Sequence, residues 1–75
     1  MFKTIDLHGY SKVEAKAKLI NYINGLPKGK YELTVIHGYS STILKNFVQK
    51  EFKHKKVIRK ILTMNQGETI YMIES

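Results

Sequence analysis

A four-residue motif, His-Gly-Tyr-Ser, occurs twice in this chain of 75 residues, at 8–11 and again at 37–40. Each copy follows a short apolar run, at 4–7 and 33–36, and precedes a segment whose apolar residues recur at helical spacing. Glycine allows a sharp turn after a strand, and serine caps a helix by accepting a hydrogen bond from an early backbone N–H. The motif therefore predicts a strand, turn and helix unit that is used twice.

The rest of the chain extends this unit into a complete fold. The predicted elements are a strand at 2–7, a helix from a Ser11 cap to about Gly25, a strand at 31–36, a helix from a Ser40 or Ser41 cap to about Lys53, and strands at 57–63 and 68–73. Right-handed crossovers place both helices on the same face when successive strands are added in one direction. We expect a two-layer α/β sandwich of order β-α-β-α-β-β, a four-stranded mixed sheet with two helices on one face.

Apolar spacing predicts which side of each helix faces the sheet. For the first helix we expect Val13, Ala15, Ala17, Leu19, Ile20, Tyr22, Ile23 and Leu26, and for the second Ile43, Leu44, Phe47, Val48 and Phe52. The first three strands should run parallel, and the last should return antiparallel through a turn at 65–67. A chain of this length predicts one domain, residues 1–75.

The charge of the chain predicts its class of partner. Thirteen Lys and Arg oppose six Asp and Glu, a formal net charge of +7, so RNA or DNA is the favoured partner and an anionic membrane surface the weaker alternative. The densest positive run is Lys50, Lys53, Lys55, Lys56, Arg59 and Lys60. Without cysteine there is no disulfide or thiolate metal site. No signal peptide or membrane span is recognised, which predicts a cytoplasmic protein.

Two histidines follow the predicted parallel strands and so fall at one edge of the sheet, where open α/β sheets bind ligands. Strand alternation places His8 on the same side as Asp6, whereas His37 continues the side of Leu33 and Val35. Asp6, His8 and His37 are the candidate catalytic residues. Two alternatives stay open: the histidines are purely structural, or the same three side chains form a metal site, which no local ligand spacing supports.

The predicted turns and the basic run supply candidate nucleic-acid contacts. Tyrosines on the turns suit stacking on a base, with packing under the adjacent loop as the alternative. Glycines there allow a backbone to approach a phosphate, and serines at a helix start favour anions. The candidates are Gly9, Tyr10, Gly38, Tyr39, Ser40, Ser41, Lys50, Lys53, Lys55, Lys56 and Arg59.

The segment Ile5-Asp6-Leu7-His8-Gly9 resembles the Leu-Asp-Leu-His-Gly signature of the small MutS-related domain, the Smr domain. Val35-Ile36-His37-Gly38 with Ile43-Leu44 is similar to its second motif, and residues 65–70 to its last hairpin. The resemblance implies nicking or endonuclease activity on DNA or RNA, and a fold similar to the C-terminal domain of bacterial translation initiation factor three. Where the family's second motif reads His-Gly-x-Gly-x-Gly, this chain has Ser40 and Thr42, which threatens cleavage more than binding.

The leading hypothesis is a nucleic-acid-binding, Smr-like domain with weak endonuclease activity on RNA or on flexible or branched DNA. In it Asp6 orients His8, His8 is the general acid or base, and His37 supplies the complementary role or stabilises the phosphate. The alternative is a non-catalytic adaptor that docks on nucleic acid, the ribosome or another ribonucleoprotein. We expect no cofactor in either case.

Overall fold

The computed structural model describes all 75 residues. Its elements are β1 (Phe2–Asp6), α1 (Lys12–Asn24), β2 (Lys30–Ile36), α2 (Thr42–Asn46), β3 (Val57–Leu62) and β4 (Glu68–Glu74). A single π-helical segment, the π turn (Phe47–Glu51), continues α2 without a break. The order predicted from the sequence is confirmed.

The four strands form one mixed sheet in the spatial order β1-β2-β4-β3. β1 pairs with β2 in parallel, and β4 is antiparallel to both of its neighbours. Strands β1, β2 and β3 therefore run in one direction, as expected, and β4 lies between β2 and β3. One consequence is important for the site: β1 and β3 are opposite edges of the sheet.

Alternate strand residues face the helices and form a continuous hydrophobic core. Its members are Ile5, Leu7, Ala15, Leu19, Ile23, Tyr31, Leu33, Val35, Leu44, Phe47, Val48, Phe52, Tyr71 and Ile73. Burying each large aliphatic side chain stabilises the fold by about 1.5–3 kcal/mol relative to leaving it exposed. The strand residues between them are exposed or half-buried and make up the open face of the sheet.

Helix α1 begins with the predicted capping box. The Ser11 hydroxyl accepts from the Glu14 N–H, and the Glu14 carboxylate accepts from the Ser11 N–H at 2.9 Å. The buried side is narrower than expected, because only Ala15, Leu19 and Ile23, spaced by four, are fully buried. The prediction that Val13 and Ala17 face the core was wrong: both lie beside this line and are exposed.

Helix α2 is shorter than predicted. The Ser41 hydroxyl caps it by accepting from the Leu44 N–H at 3.0 Å, but regular α-helix ends at Asn46 rather than near Lys53. Ile43, expected in the core, is 70% exposed, because the short helix buries Leu44 alone.

The π turn explains how the second helical segment reaches the core. The Phe52 N–H donates to the Phe47 carbonyl at 2.8 Å, a bond that spans five residues instead of four. The wider turn places Phe47 and Phe52 on one side, where their rings meet edge to face with centroids 5.8 Å apart. None of the helices is both long enough and apolar enough to cross a membrane.

Candidate functional site

The two His-Gly-Tyr-Ser loops lie side by side at the edge where β1 and β2 end. The Leu7 N–H donates to the Ile36 carbonyl at 2.7 Å, which extends the β1–β2 pairing up to the loops. Gly9 and Gly38 have φ values of 81° and 80°, a conformation that other residues adopt only with strain. A Cβ added to Gly38 would lie 3.3 Å from the His8 Cβ, so the second loop packs directly against His8.

Asp6 and His8 form a paired, solvent-exposed unit. The Asp6 Oδ1 lies 2.7 Å from the His8 Nδ1 and also accepts from the His8 backbone N–H at 3.0 Å. These hydrogen bonds from His8 lower the pKa of Asp6 below its ordinary value. An ionised carboxylate requires a proton on Nδ1, so Nε2 is the free nitrogen of a neutral ring. With 71% of the His8 side chain exposed, that ring can reach a ligand.

His37 occupies a different environment from His8. It is 1% exposed, its Nε2 is 3.0 Å from the Thr69 hydroxyl, and its Nδ1 is 3.2 Å from the Gly38 carbonyl. The backbone beside it is held as well, since the His37 and Gly38 N–H groups both donate to the Gly67 carbonyl. The structure therefore does not bring His37 together with Asp6 and His8, in agreement with the opposite strand faces noted above.

The two tyrosines of the repeated motif are both held in place. The Tyr10 hydroxyl accepts from the Lys18 ammonium at 2.9 Å, and the same ammonium lies 4.7 Å from the centre of the Tyr10 ring. Lys18 thus covers one face of Tyr10 and also contributes, as the smallest of several effects, to the lowered pKa of Asp6. Sequence reasoning missed Lys18, because only the fold brings this helix residue back to the loop.

Tyr39 presents a broad aromatic surface. Its hydroxyl donates to the Asn65 side-chain oxygen at 2.6 Å, and a Cβ added to Gly67 would lie 3.1 Å from its ring. The ring therefore lies against the β3–β4 turn, while 76% of the residue remains exposed. An exposed ring held through its hydroxyl suits stacking on an unpaired base.

The serines differ in their availability. Ser41 already caps α2, whereas Ser40 is exposed. The start of α1 is less receptive to anions than expected, because the Glu14 carboxylate already accepts from Ser11 there. Those hydrogen bonds with Ser11 lower the pKa of Glu14, which therefore remains ionised at neutral pH.

The basic run lies at the opposite corner of the sheet from Asp6 and His8. It leads into the start of β3, whereas His8 follows the end of β1, and these parallel strands are opposite edges. The exposed members of the run are Lys50, Lys53, Lys55 and Arg59. The other two, Lys56 and Lys60, are half-buried.

Lys60 has a structural partner. Its ammonium donates to the carbonyls of Gln49 and Phe52 at the end of the π turn and lies 5.4 Å from the centre of the Tyr71 ring. Burial lowers the pKa of Lys60, with a smaller contribution from Lys53. Lys60 is thus engaged within the fold.

No cluster of three or more His, Cys, Asp or Glu side chains is close enough to hold a metal ion. The Asp6, His8 and His37 triad considered above is therefore not assembled. Asp6 and His8 alone provide one carboxylate and one imidazole, which suits a proton carrier and the group that orients it.

Comparison with known proteins identifies a family for the chain. Residues 5–69 match the family model of the Smr domain, a nucleic-acid-binding domain related to nucleases. No curated protein and no solved structure matches the chain. The match spans both His-Gly loops, the helices and most of the last hairpin. The chain belongs to the Smr domain family.

Proposed function

We propose that this protein is a slow endonuclease of single-stranded RNA or of flexible or branched DNA, with His8 as the proton carrier. The observation that supports the proposal is the Asp6–His8 pair, which orients an exposed imidazole with its Nε2 free. A neutral Nε2 accepts the proton of the attacking hydroxyl, either water or the RNA 2′-hydroxyl, while that oxygen bonds to phosphorus. The bond from phosphorus to the leaving oxygen then breaks, and the leaving oxygen takes a proton from water or from the His8 imidazolium, which returns to its neutral form.

Asp6 and His37 support the reaction in different ways under this proposal. Asp6 fixes the tautomer of His8 and stabilises the imidazolium that forms when Nε2 takes the proton. His37 is a positioning residue, because its contacts with Thr69 and Gly38 hold the second loop against His8. Tyr39 offers its exposed ring to a base next to the reacting phosphate.

The test is cleavage of labelled single-stranded RNA by purified protein, with and without a chelator. We expect His8→Ala to lower the rate by about a hundredfold or more, the usual effect of removing a positioned acid or base, with little change in binding. His8→Gln is the matched variant, since its amide can still donate to Asp6 but cannot carry the proton. Asp6→Asn should lose less, because it removes the group that orients His8 and stabilises its imidazolium but leaves the proton carrier itself in place. Cleavage by His8→Ala at the parent rate would refute the role of His8, and product lost with the chelator would indicate a metal-dependent reaction.

A second candidate function is supported by a separate observation. His8 is the only histidine that the structure presents at this edge, and Ser40 and Thr42 stand where the family's motif has glycines. A non-catalytic adaptor needs only the exposed loops and the positive charge. A stable RNA complex that gives no product under any condition would favour the adaptor.

A further inference from the structure

Two adjacent grooves of the protein share lining residues. The first, of about 500 Å³, lies between the first turns of α1 and the π turn, and Lys12, Lys16 and Lys53 are among its lining residues. The second, of about 710 Å³, lies between the segment that follows the π turn and the start of β3. Phe52 and Lys53 line both grooves. We call the joined surface the inter-helix track.

The track has one end at the start of α1 and the other beside the start of β3. Lys12, the first residue of α1, lines the first end and follows His8 by four positions in the chain. The other end includes Lys50, Lys55 and Arg59 beside the start of β3. The track thus joins the basic run to the start of the helix that follows the His8 loop.

Charge is divided between the two sides of the protein. Four of the six carboxylates lie on strands and point to the open face of the sheet, since each alternates with residues that face the core: Asp6, Glu32, Glu68 and Glu74. The track carries the opposite charge, and Glu51 is the only carboxylate that lines it. Lys30, paired with Glu74, also faces the open side and offsets part of its negative charge. A polyanion is therefore more strongly attracted to the helical side than to the open face.

We infer that the track is the path of a bound single-stranded nucleic acid, which runs from the start of α1 past the π turn to the start of β3. The inference rests on the proposed nucleic-acid binding and adds its route. Single strands expose both phosphates and base faces, and the track offers cationic side chains together with the exposed apolar side chains of Val13 and Ile58. A flexible strand can follow such a concave surface, whereas a duplex is stiff and presents mainly its phosphates.

Glu51 provides a test of this path, because its negative charge should oppose the binding of a polyanion along the track. Its carboxylate adds a negative charge to the track. It also pairs with the Lys12 ammonium, which would otherwise be available to a phosphate. Both side chains are about half exposed, at 47% and 48%, so the loss of this pair should change folding little. Removing the charge should strengthen binding, an effect that few substitutions in a binding surface produce.

The experiment measures affinity for a fluorescein-labelled oligouridylate of about twelve nucleotides by anisotropy. Glu51→Gln should bind about fivefold more tightly at low salt, from the Coulomb energy of one unit charge a few ångströms away in water. Glu74→Gln is the matched control, with the same change of net charge on the open face, and should bind like the parent. Lys16→Gln and Lys53→Gln should each weaken binding and reduce the salt slope by about 0.7, whereas Lys28→Gln, in the exposed loop before β2, should not.

The outcomes distinguish a wrong binding path from a failure of nucleic-acid binding itself. Equal gains for Glu51→Gln and Glu74→Gln would overturn the track, because binding would then follow net charge alone, while nucleic-acid binding itself would stand. Equal losses for Lys16→Gln and Lys28→Gln would overturn it in the same way. A parent protein that fails to bind the oligonucleotide would overturn both the track and the proposed function.

Discussion

The Tyr71 hydroxyl in β4 donates a hydrogen bond of 2.6 Å to the carbonyl oxygen of Val48 in the π turn. In a regular α-helix this carbonyl would accept from the Phe52 N–H, but that N–H donates to Phe47 instead. The Tyr71 ring also stacks on Phe52, with centroids 5.9 Å apart and planes 4° from parallel. Burial raises the pKa of Tyr71 far above its ordinary value, so the hydroxyl remains protonated and able to donate.

Tyr71→Phe should therefore destabilise the protein. It leaves the Val48 carbonyl without its donor at a buried position, which costs about 1–3 kcal/mol. Urea denaturation followed by circular dichroism measures the loss. Tyr22→Phe, at a half-buried tyrosine on α1 outside this contact, is the control and should change the free energy of unfolding by less. Equal effects of the two substitutions would show that the Tyr71 hydroxyl contributes nothing specific.

Some features of the site follow from local rules. Period-two alternation placed Asp6 and His8 on one side and His37 on the other, and the structure shows a 2.7 Å contact for the first pair and burial for His37. The capping box at Ser11 and Glu14 was equally readable, because all its atoms lie within four residues. Such predictions succeed because the interacting residues are close to each other in the sequence.

Other features depend on residues that only the fold brings together. The π turn is completed by Tyr71, 23 positions later, and by Lys60. The sequence places Lys60 in the basic run, because it does not show which lysine finds carbonyl partners. One signal for the track was available: Lys12 and Lys16 are four apart on a helix and share a side. Its opposite wall was not predictable, since it comes from the π turn.

Gly9 and Gly38 form a natural matched pair for a second prediction. Their φ values are nearly equal, so Gly→Ala at either position should cost about 1–2 kcal/mol of backbone strain. Nothing lies within 4 Å of a Cβ at Gly9, whereas at Gly38 the His8 Cβ is 3.3 Å away. Gly38→Ala should therefore destabilise the protein more than Gly9→Ala in thermal denaturation. A smaller loss at Gly38 would show that the second loop does not press on His8.

Substitutions of Lys60 and Lys55 should have opposite effects, the first on stability and the second on RNA binding. Lys60→Met removes a charged donor from two carbonyls at the end of the π turn. A hydrogen bond from a charged donor contributes up to about 3 kcal/mol to the free energy of unfolding. The melting temperature of Lys60→Met should fall while the salt slope of RNA binding remains that of the parent. Lys55→Gln, exposed at the rim of the same groove, should show the reverse: unchanged stability and a flatter slope. A flatter slope for Lys60→Met would mean that its ammonium contacts phosphate.

His54 should make stability depend on pH near neutrality. Its Nδ1 accepts from the Lys56 N–H at 3.1 Å, and its Nε2 lies 2.8 Å from the Asn24 side-chain oxygen. Only a neutral ring satisfies both contacts, with Nε2 as the donor. Burial, followed by the charges of Lys56 and Lys55, lowers the pKa of His54 from its ordinary 6.5.

Because the folded protein holds this proton less tightly, the unfolded chain binds more protons in the window below pH 6.5. The stabilisation is therefore complete above that pH and is lost as the pH falls towards the lower pKa of the folded state. The melting temperature of the parent should decline between about pH 7.5 and 5.5, and that of His54→Gln should decline less. Both proteins should lose stability together at lower pH, where Asp6 and Glu14, whose pKa values are lowered, become protonated. Identical slopes for parent and variant between about pH 7.5 and 5.5 would show that His54 is not the group that titrates.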